Sequence, residues 1–517
     1  MKALSPDDVK ALDDNSQWLG ISVLQLMENA GKNIAEVVEQ LTNGKRAKIA
    51  VVAGLGNNGG DSFVAARHLG RNHEVTVILV GKAKNITTEE AKKNFEIISQ
   101  MTWSIKIIEF RYPEQSNDIL KTLLDADIII DGILGVGTKG RVKGLPALAI
   151  RLINQAKNQK GDIKIISVDV PSGLDCFAGK TFGEVVKADI TVTFHGIKKG
   201  MNEHICGKII VKDIGIPPEA ELFVGPGDLR AYVLKKRDPW SYKGIHGRIM
   251  IIGGSKEYSG APALAGLAAL HTGADIVVIY APSSVAKVIR SFSPNLIVRE
   301  LNGEYITVEH LDYLIDEAQK YTAIIIGPGL STKDECLDFV LEFLKRVNSL
   351  DKVVVDADAL KALTVDKIPK GIIITPHAGE FAKIFGEKPR DLNQRIQLTQ
   401  EYAKKCGCVI LLKGHIDVIS DGERIKLNVT GNPGMTVGGT GDVLDGIIAT
   451  FLAQEVDRFW SACAGAFING VAGDLAFLEC GYSLTATDVI NEIPTVLKML
   501  YDGKINELRE IYLRTHQ

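Results

Sequence analysis

The chain has no basic surplus, no paired cysteines and few aromatic residues. Its 60 lysines and arginines are outnumbered by 63 aspartates and glutamates, a formal charge of −3. No overall positive field is therefore present to gather nucleic acid or an anionic membrane surface. The seven cysteines, Cys176, Cys206, Cys336, Cys406, Cys408, Cys463 and Cys480, are odd in number, scattered and without a C-x-x-C pair, which argues against a disulfide frame or a zinc site. The opening MKALSPDDVK lacks the charged-then-apolar order of a signal segment, and no later apolar run reads as the ~18 residues of a spanning helix. These absences lead to the expectation of a cytoplasmic protein without nucleic-acid or membrane partners.

What is abundant is glycine, 51 residues of 517, in a chain that is 45% hydrophobic. A single core stops growing at roughly 250–300 residues, so two α/β domains are expected, at 1–225 and 226–517. From Ala47 to about Ile216 short β-branched runs alternate with amphipathic stretches, the pattern of parallel strands covered on both faces. It predicts strands at 48–53, 75–80, 105–109, 127–131, 164–169, 189–194 and 208–211, after an N-terminal helix over 22–41. Between Ile216 and Trp240 proline, glycine and charge mix without periodicity, which reads as a linker. The alternation then restarts, with strands at 248–252, 275–280, 323–326, 352–356, 371–375 and 408–412, a hairpin over 417–430 and two long helical stretches to close.

Several strands end in polar, glycine-rich turns. In AKIAVVAGLGNNGGDSFVAARHLG, residues 47–70, an apolar strand passes through glycines into a helix expected to start near Asp61, whose free N–H groups suit an anion. IIIDGILGVGTKGRVKG and IISVDVPSGLD end in the same manner. Ligands collect beyond the carboxyl ends of parallel strands, so Asn57, Asn58, Asp61, Asp131, Asp169 and Ser172 are expected to share a crevice. The plainer alternative is that each caps a turn. Three carboxylates at strand ends would supply hard oxygen ligands for a small cation and a group to move protons.

In the second half GNPGMTVGGTGDVLDGIIATFL, residues 431–452, places Gly438, Gly439 and Gly441 before an apolar helix. Amide groups near Thr440–Asp442 form an anion hole, and Asp442 stands where phosphate would be transferred. A carboxylate there is unfavourable unless it accepts the proton of an attacking hydroxyl; otherwise it is a helix cap. Lys413 and Gly414 leave a strand with a cation suited to a polyphosphate, and His377 offers a hydrogen-bond donor to a substrate amide.

Taken together, MENAG (27–31), NNGGD (57–61), DGILGVG (131–137) and DVPSGLD (169–175), followed by GGS, GPGL, DADAL, TPHAGE, LLKG and GGTGD, resemble the bifunctional NAD(P)H-hydrate repair family. The resemblance covers almost the whole chain. It implies a Rossmann-like, doubly wound epimerase domain followed by a ribokinase-like α/β/α dehydratase domain. In the first it implies K⁺ at Asn58, Asp131 and Ser172. The hydrated nucleotide, NADHX or NADPHX, would lie on Asn57, Asn58, Gly59, Gly60, Asp61, Gly135, Val136, Gly137, Thr138, Lys139, Gly140, Arg141 and Asp169, with Asp169 catalytic. In the second it implies Ala261, Gly329, His377 and the catalytic Asp442 for the hydrate. Lys413, Gly414, His415, Ile416, Asp417 and Gly441 would hold ADP or ATP, used with Mg²⁺. Ser62 stands where the family commonly has a further glycine, and Ala378 where it commonly has proline. A homo-oligomer is expected, with interfaces from the N-terminal and C-terminal helices. Two rivals are a small-molecule kinase fused to a nucleotide-binding module and a non-catalytic scaffold of the kind that assists messenger-RNA turnover; the polar strand ends and the missing basic stripe disfavour the scaffold.

Overall fold

A computed structural model describes residues 3–516. The chain divides after Pro217 into two compact units. The first holds β1 (Lys48–Ala53), β2 (Glu74–Val80), β3 (Ile105–Phe110), β4 (Ile128–Gly132), β5 (Lys164–Val168), a two-residue ribbon of β6 (Leu174–Asp175) and β7 (Lys180–Thr181), β8 (Ile190–Phe194) and β9 (Lys208–Lys212). The main sheet runs β3-β2-β1-β4-β5-β8-β9 and every pairing in it is parallel. All seven expected strands are present.

The period-two alternation of strand side chains explains why both faces are closed. Ile49, Val51 and Ala53 join the core made with α2 (Val23–Thr42) and α3 (Asn57–Leu69), which includes Ile34, Val38, Phe63 and Leu69. Ala50 and Val52 face the other way, onto Ile150 and Ile153 of the helix Gly144–Gln159. The strand order reverses at β1 and β4, which leaves a crevice at their carboxyl ends. The helix α1 (Pro6–Leu19) is absent from the sequence-based reading. Its segment PDDVKALDDNSQWL has too few apolar positions to show a 3.6-residue period, but Ser5 and Asp8 close its first turn as a capping box and Ala11, Leu12 and Trp18 are buried.

The second unit has nine strands, β10 (Arg248–Ile252), β11 (Ile276–Pro282), β12 (Ile297–Leu301), β13 (Ala323–Ile326), β14 (Val353–Val355), β15 (Ile373–Ile374), β16 (Val409–Leu412), β17 (Asp417–Ser420) and β18 (Ile425–Asn428). They lie in the order β12-β11-β10-β13-β14-β15-β16-β17-β18, parallel as far as β16 and antiparallel through the expected hairpin. The strand β12 escapes the sequence pattern because it is an edge strand with only Val298 and Leu301 buried. Part of the expected linker is ordered on this unit: Val224 N–H donates to Leu427 O at 2.8 Å, and the buried Lys426 ammonium reaches Asp228 at 2.8 Å and Phe223 O at 3.1 Å. A buried ion pair carries no periodicity, so composition alone reads it as loop.

Four helices, not two, close the chain: Thr440–Ala453, Arg458–Cys480, Ala486–Asp502 and Ile505–Thr515. The segment Arg458–Ser483 is long and apolar enough to cross a membrane by length and composition, contrary to the sequence-based reading, and 83% of its most apolar window is buried inside the protein. The helices Gly260–Thr272 and Thr440–Ala453 meet at Gly446, where an added Cβ would lie 2.3 Å from the Ala265 carbonyl oxygen and 2.8 Å from the Ala268 Cβ. Gly446→Val is therefore expected to destabilise the second unit by about 3 kcal/mol and to lower its calorimetric transition by about 5 °C. A transition unchanged from wild type would contradict this close approach.

Two candidate active sites

The turn from β1 into α3 depends on glycine at one place above all: a Cβ on Gly54 would stand 1.9 Å from the Ile133 carbonyl oxygen. The helix α3 starts at Asn57, four residues before the expected start, so NNGGD forms its first turn. Asn57, Asn58, Asp61, Gly135, Val136, Gly137, Thr138 and Asp169 line one cavity of about 540 Å³. Gly59 and Gly60 serve packing, since a Cβ would meet the Gly54 carbonyl oxygen at 2.2 Å or the Met27 Sδ at 2.6 Å. The far side of the 135–141 turn leads away from the cavity. Gly140 N–H donates to Asp175 at 2.7 Å, Lys139 lies 5.7 Å from the Phe177 ring centre, and Arg141 packs against Gly183.

Asp131 and Ser172 lie beneath the cavity, fully buried. The Asp131 carboxylate accepts from Ser172 Oγ at 2.5 Å, Ser172 N–H at 2.9 Å and Ser167 Oγ at 2.8 Å. Burial nevertheless holds the Asp131 carboxyl above its usual range, only partly offset by these neutral donors. Asn58 Nδ2 donates to Leu134 O at 3.1 Å, and Ser172 Oγ is bonded to Leu134 N–H at 2.9 Å and to Leu134 O at 3.2 Å. Asn58, through its amide nitrogen, and Ser172 thus meet at the Leu134 backbone, and Ser172 links Asp131 to them. The buried Ser62 hydroxyl donates to Asn58 O at 2.9 Å and steadies this turn.

Asp169 sits just beyond β5 with φ +61°, a left-handed conformation unusual for a side-chain-bearing residue. Its carboxylate takes Lys198 Nζ at 2.5 Å, Thr193 Oγ1 at 3.1 Å and Phe194 N–H at 3.2 Å. Sequence reasoning missed two residues that share this cavity, Lys198 and Asp13. Lys198 follows β8 in FHGIKKG, another strand end with glycine, and that signal was available. Asp13 lies on α1 and carried no signal. Burial, and then the charge of Asp169, pushes Asp61 well above the usual carboxylate range. The same two causes raise Asp13 to about 7, with Lys198 opposing.

In the second unit Gly439, at φ +98°, turns the loop into the helix Thr440–Ala453, and Asp442 stands in that helix's first turn beside its free N–H groups. Lys413 leaves β16 and holds both Asp356 oxygens, at 2.9 and 3.0 Å. A Cβ on Gly441 would lie 3.5 Å from Lys413 Nζ and 3.6 Å from Asp356 Oδ2, so this ion pair lies directly against the glycine loop. Burial works against the Lys413 charge, but Asp356 and Asp445 more than restore it. Burial first, and Asp356 second, raise Asp442 to about 7, against the pull of Lys413.

Asp356 and Asp445 are the second pair missed. Asp445 is fully buried, accepts from Thr375 Oγ1 at 3.3 Å, and has its carboxyl pushed well above the usual range by burial first and by Asp356 second. Asp356 belongs to the recognised DADAL segment; Asp445, three residues past GGTGD, read as part of an apolar helix.

Lys413, Gly414, His415, Asp417 and Gly441 line a cavity of about 370 Å³ with Asn428, Thr430 and Asn469. Ile416 instead packs on the core, with its carbonyl accepting from Arg395 at 3.2 Å. Asp417 accepts from Gly414 N–H at 2.9 Å and Asn428 Nδ2 at 3.1 Å, which shapes the loop. Ala261 and Gly329 adjoin under Tyr258, a Cβ on Gly329 lying 3.6 Å from the Ala261 Cβ and 2.9 Å from the Tyr258 Cβ. His377 begins the helix Ala378–Phe385. Its Nδ1 accepts from Gly379 N–H at 2.9 Å, which puts the ring proton on Nε2 in the neutral form.

The family profile described as NAD(P)H-hydrate dehydratase matches residues 249–495, and the one described as YjeF-related protein N-terminus matches residues 23–200. The bifunctional NAD(P)H-hydrate repair enzyme of Pyrobaculum aerophilum is 41% identical over 505 residues, 96% of this chain and 98% of its own length. That of Archaeoglobus fulgidus is 44% identical over 501 residues, 96% and 99% of the two chains. A solved structure of the ADP/ATP-dependent NAD(P)H-hydrate dehydratase from Bacillus subtilis, co-crystallised with ATP/Mg²⁺, is 29% identical and covers 54% of this chain and 98% of its own, at a TM-score of 0.46. The parallel seven-stranded sheet has the doubly wound strand order of a Rossmann-like fold, and the nine-stranded sheet of the second unit is mixed. Because the likeness to whole repair enzymes runs through both units, the chain belongs to the bifunctional NAD(P)H-hydrate repair enzyme family.

Proposed function

We propose that the cavity at Asp169 is the epimerase site and the glycine loop at Asp442 the dehydratase site of a chain that carries both NAD(P)HX repair activities. The first unit interconverts the R and S hydrates, and the second returns the S hydrate to NADH or NADPH with ADP or ATP as co-substrate. The observation that supports this most is Asp442, a carboxylate in the first turn of a phosphate-ready helix with Lys413 against the same loop.

The hydrate carries a hydroxyl on the ring carbon next to nitrogen, a poor leaving group. Asp442 takes the proton of that hydroxyl as the terminal phosphoryl group of the nucleotide moves onto the oxygen. Phosphate then leaves, assisted by the ring nitrogen. The loop amides and Lys413 stabilise the charge that develops on the transferring group, and bound Mg²⁺ would neutralise further phosphate charge. His377, whose Nε2 lies 3.4 Å from Glu380 Oε1, would turn its N–H to the hydrate, and Ala261 with Gly329 gives the ring a close-fitting wall. Lys413, Gly414, His415 and Asp417 hold the nucleotide, with the Ile416 backbone between them.

In the first unit Asn57 to Asp61 and the turn at Gly135–Thr138 bind the hydrated nucleotide, and Asp169 assists epimerisation. The Asn58, Asp131 and Ser172 group fits K⁺ by its chemistry: it carries an amide, a carboxylate and a hydroxyl oxygen, all hard, and the buried Asp131 accepts from neutral donors. Bound there, K⁺ would supply positive charge beside the phosphate and the turn; it has no redox part.

Asp442→Asn is expected to lower nucleotide-dependent recovery of NADH absorbance by about 10³-fold while nucleotide affinity stays within about twofold. An active Asn variant would reject the base role. Because a base must be ionised and this carboxyl sits at about 7, wild-type turnover on the S hydrate should fall about tenfold per pH unit below that value; a flat acid limb would contradict it. Asp169→Ala should leave the S hydrate repairable and the R hydrate untouched, and release of a phosphorylated organic product instead of inorganic phosphate would favour the kinase reading.

A further inference from the structure

We propose that α1 is part of the epimerase's catalytic apparatus, with Asp13 the acid that gives its proton to the departing hydroxyl and Lys198 the cation that positions Asp169. This rests on the assignment of the Asp169 cavity as the epimerase site. Neither residue belongs to the glycine-rich turns that identify the first unit, and both line the same cavity as Asp61 and Asp169.

The chain end is tied to the lysine. Leu4 N–H donates to Ile197 O at 2.8 Å and Lys199 N–H donates to Leu4 O at 2.9 Å, so the segment leading into α1 brackets Lys198 on both sides. α1 does not need Asp13 for its own cap, which Ser5 and Asp8 complete. Lys198 is almost wholly buried, and its three ammonium hydrogens have three acceptors: Asp169 Oδ1 at 2.5 Å, Thr193 Oγ1 at 2.9 Å and Phe194 O at 2.5 Å. With every donor engaged, it is neither a nucleophile nor a base; it fixes the direction of the Asp169 carboxylate.

Charge counting then assigns the protons. Asp13, Asp61 and Asp169 share one ammonium in a cavity walled by Leu12, Leu26, Met27 and Ile214. Three carboxylates beside a single cation in apolar surroundings cannot all be ionised near neutral pH. Burial and the charge of Asp169 push the Asp61 carboxyl well above its usual range. Asp13 exchanges its proton near neutrality, where an acid catalyst is most effective.

The step balances without a co-reactant. The Asp13 carboxyl protonates the ring hydroxyl, the C–O bond breaks, and water leaves as the ring nitrogen lone pair forms a C=N bond. The resulting ring cation arises as Asp13 becomes an anion beside Asp169, so negative charge appears where positive charge develops. Water adds to the opposite face of the same carbon and its proton returns to Asp13, giving the other epimer. The charged or titratable groups facing Asp13 are Asp14 on α1, Asp61 on α3, Asp169 beyond β5, and His195 and Lys198 beyond β8.

The test uses the full-length chain with ADP or ATP and separated R and S hydrates, since the R hydrate needs both units and the S hydrate only the second. Asp13→Asn is expected to slow R repair at least about 100-fold above the protein-free rate and to leave S repair unchanged. Asp13→Glu should recover a tenth or more of the wild-type rate. With S repair as the reference at each pH, wild-type R repair should fall above about pH 7 as Asp13 loses its proton, and the Asn variant should lack that limb. Lys198→Met should lower kcat on the R hydrate with little change in KM.

Wild-type R repair in Asp13→Asn, or equal loss in the Asn and Glu variants with an unaltered pH profile, would overturn the proposal. R repair that survives Asp169→Ala would instead overturn the assignment of the cavity itself.

Discussion

One lysine in each unit holds a group of carboxylates that water would otherwise have to solvate. Lys198 ties Asp169 to the end of β8, and Lys413 ties Asp356 to the end of β16. Breaking a buried pair of this kind by removing one partner costs about 3–5 kcal/mol, so these ammonium groups hold the strand ends together as well as charging the sites. Because each lysine faces more carboxylates than it can neutralise, the surplus keeps protons. Burial and neighbouring aspartates push Asp61 and Asp445 well above the usual carboxylate range and raise Asp13 and Asp442 to about 7.

The same excess serves opposite roles in the two units. Asp442 stands among helix amides and beside Lys413, where a phosphoryl group would bring negative charge, so its useful form is the ionised base. Asp13 faces a cavity with apolar walls where a cation is to form, so its useful form is the neutral acid. Both carboxyls are raised to about 7 by burial first and by a neighbouring aspartate second. The direction of catalysis is set by what charge the site must accept, not by the shift alone.

Most of the architecture was legible because parallel strands buried on both faces show as short β-branched runs, and Val51 and Val52 pack into opposite cores as that pattern requires. The failures share a cause. The edge strand β12 buries only two side chains, α1 buries its apolar residues without a clear period, and the stretch around Asp228 is held by an ion pair. Local hydrophobicity cannot report contacts made by so few or by polar groups. Helix starts were shifted too: with α3 beginning at Asn57, the first-turn amides belong to NNGGD itself.

The amino-acid order alone determined the succession of elements, the two-part organisation, the glycine turns, the strand-end residues Asp131, Asp169 and Lys413 and the helix-start residue Asp442, since each follows from a run of neighbours along the chain. Which of them face a cavity was decided only on folding: Asp131 and Ser172 went beneath it, Lys139 to Arg141 turned away, and Ile416 joined the core. The tertiary structure also recruited Asp13, Lys198, Asp356 and Asp445. Desolvation and charge proximity are properties of residues distant in sequence, and no spacing rule along one strand or helix can encode them.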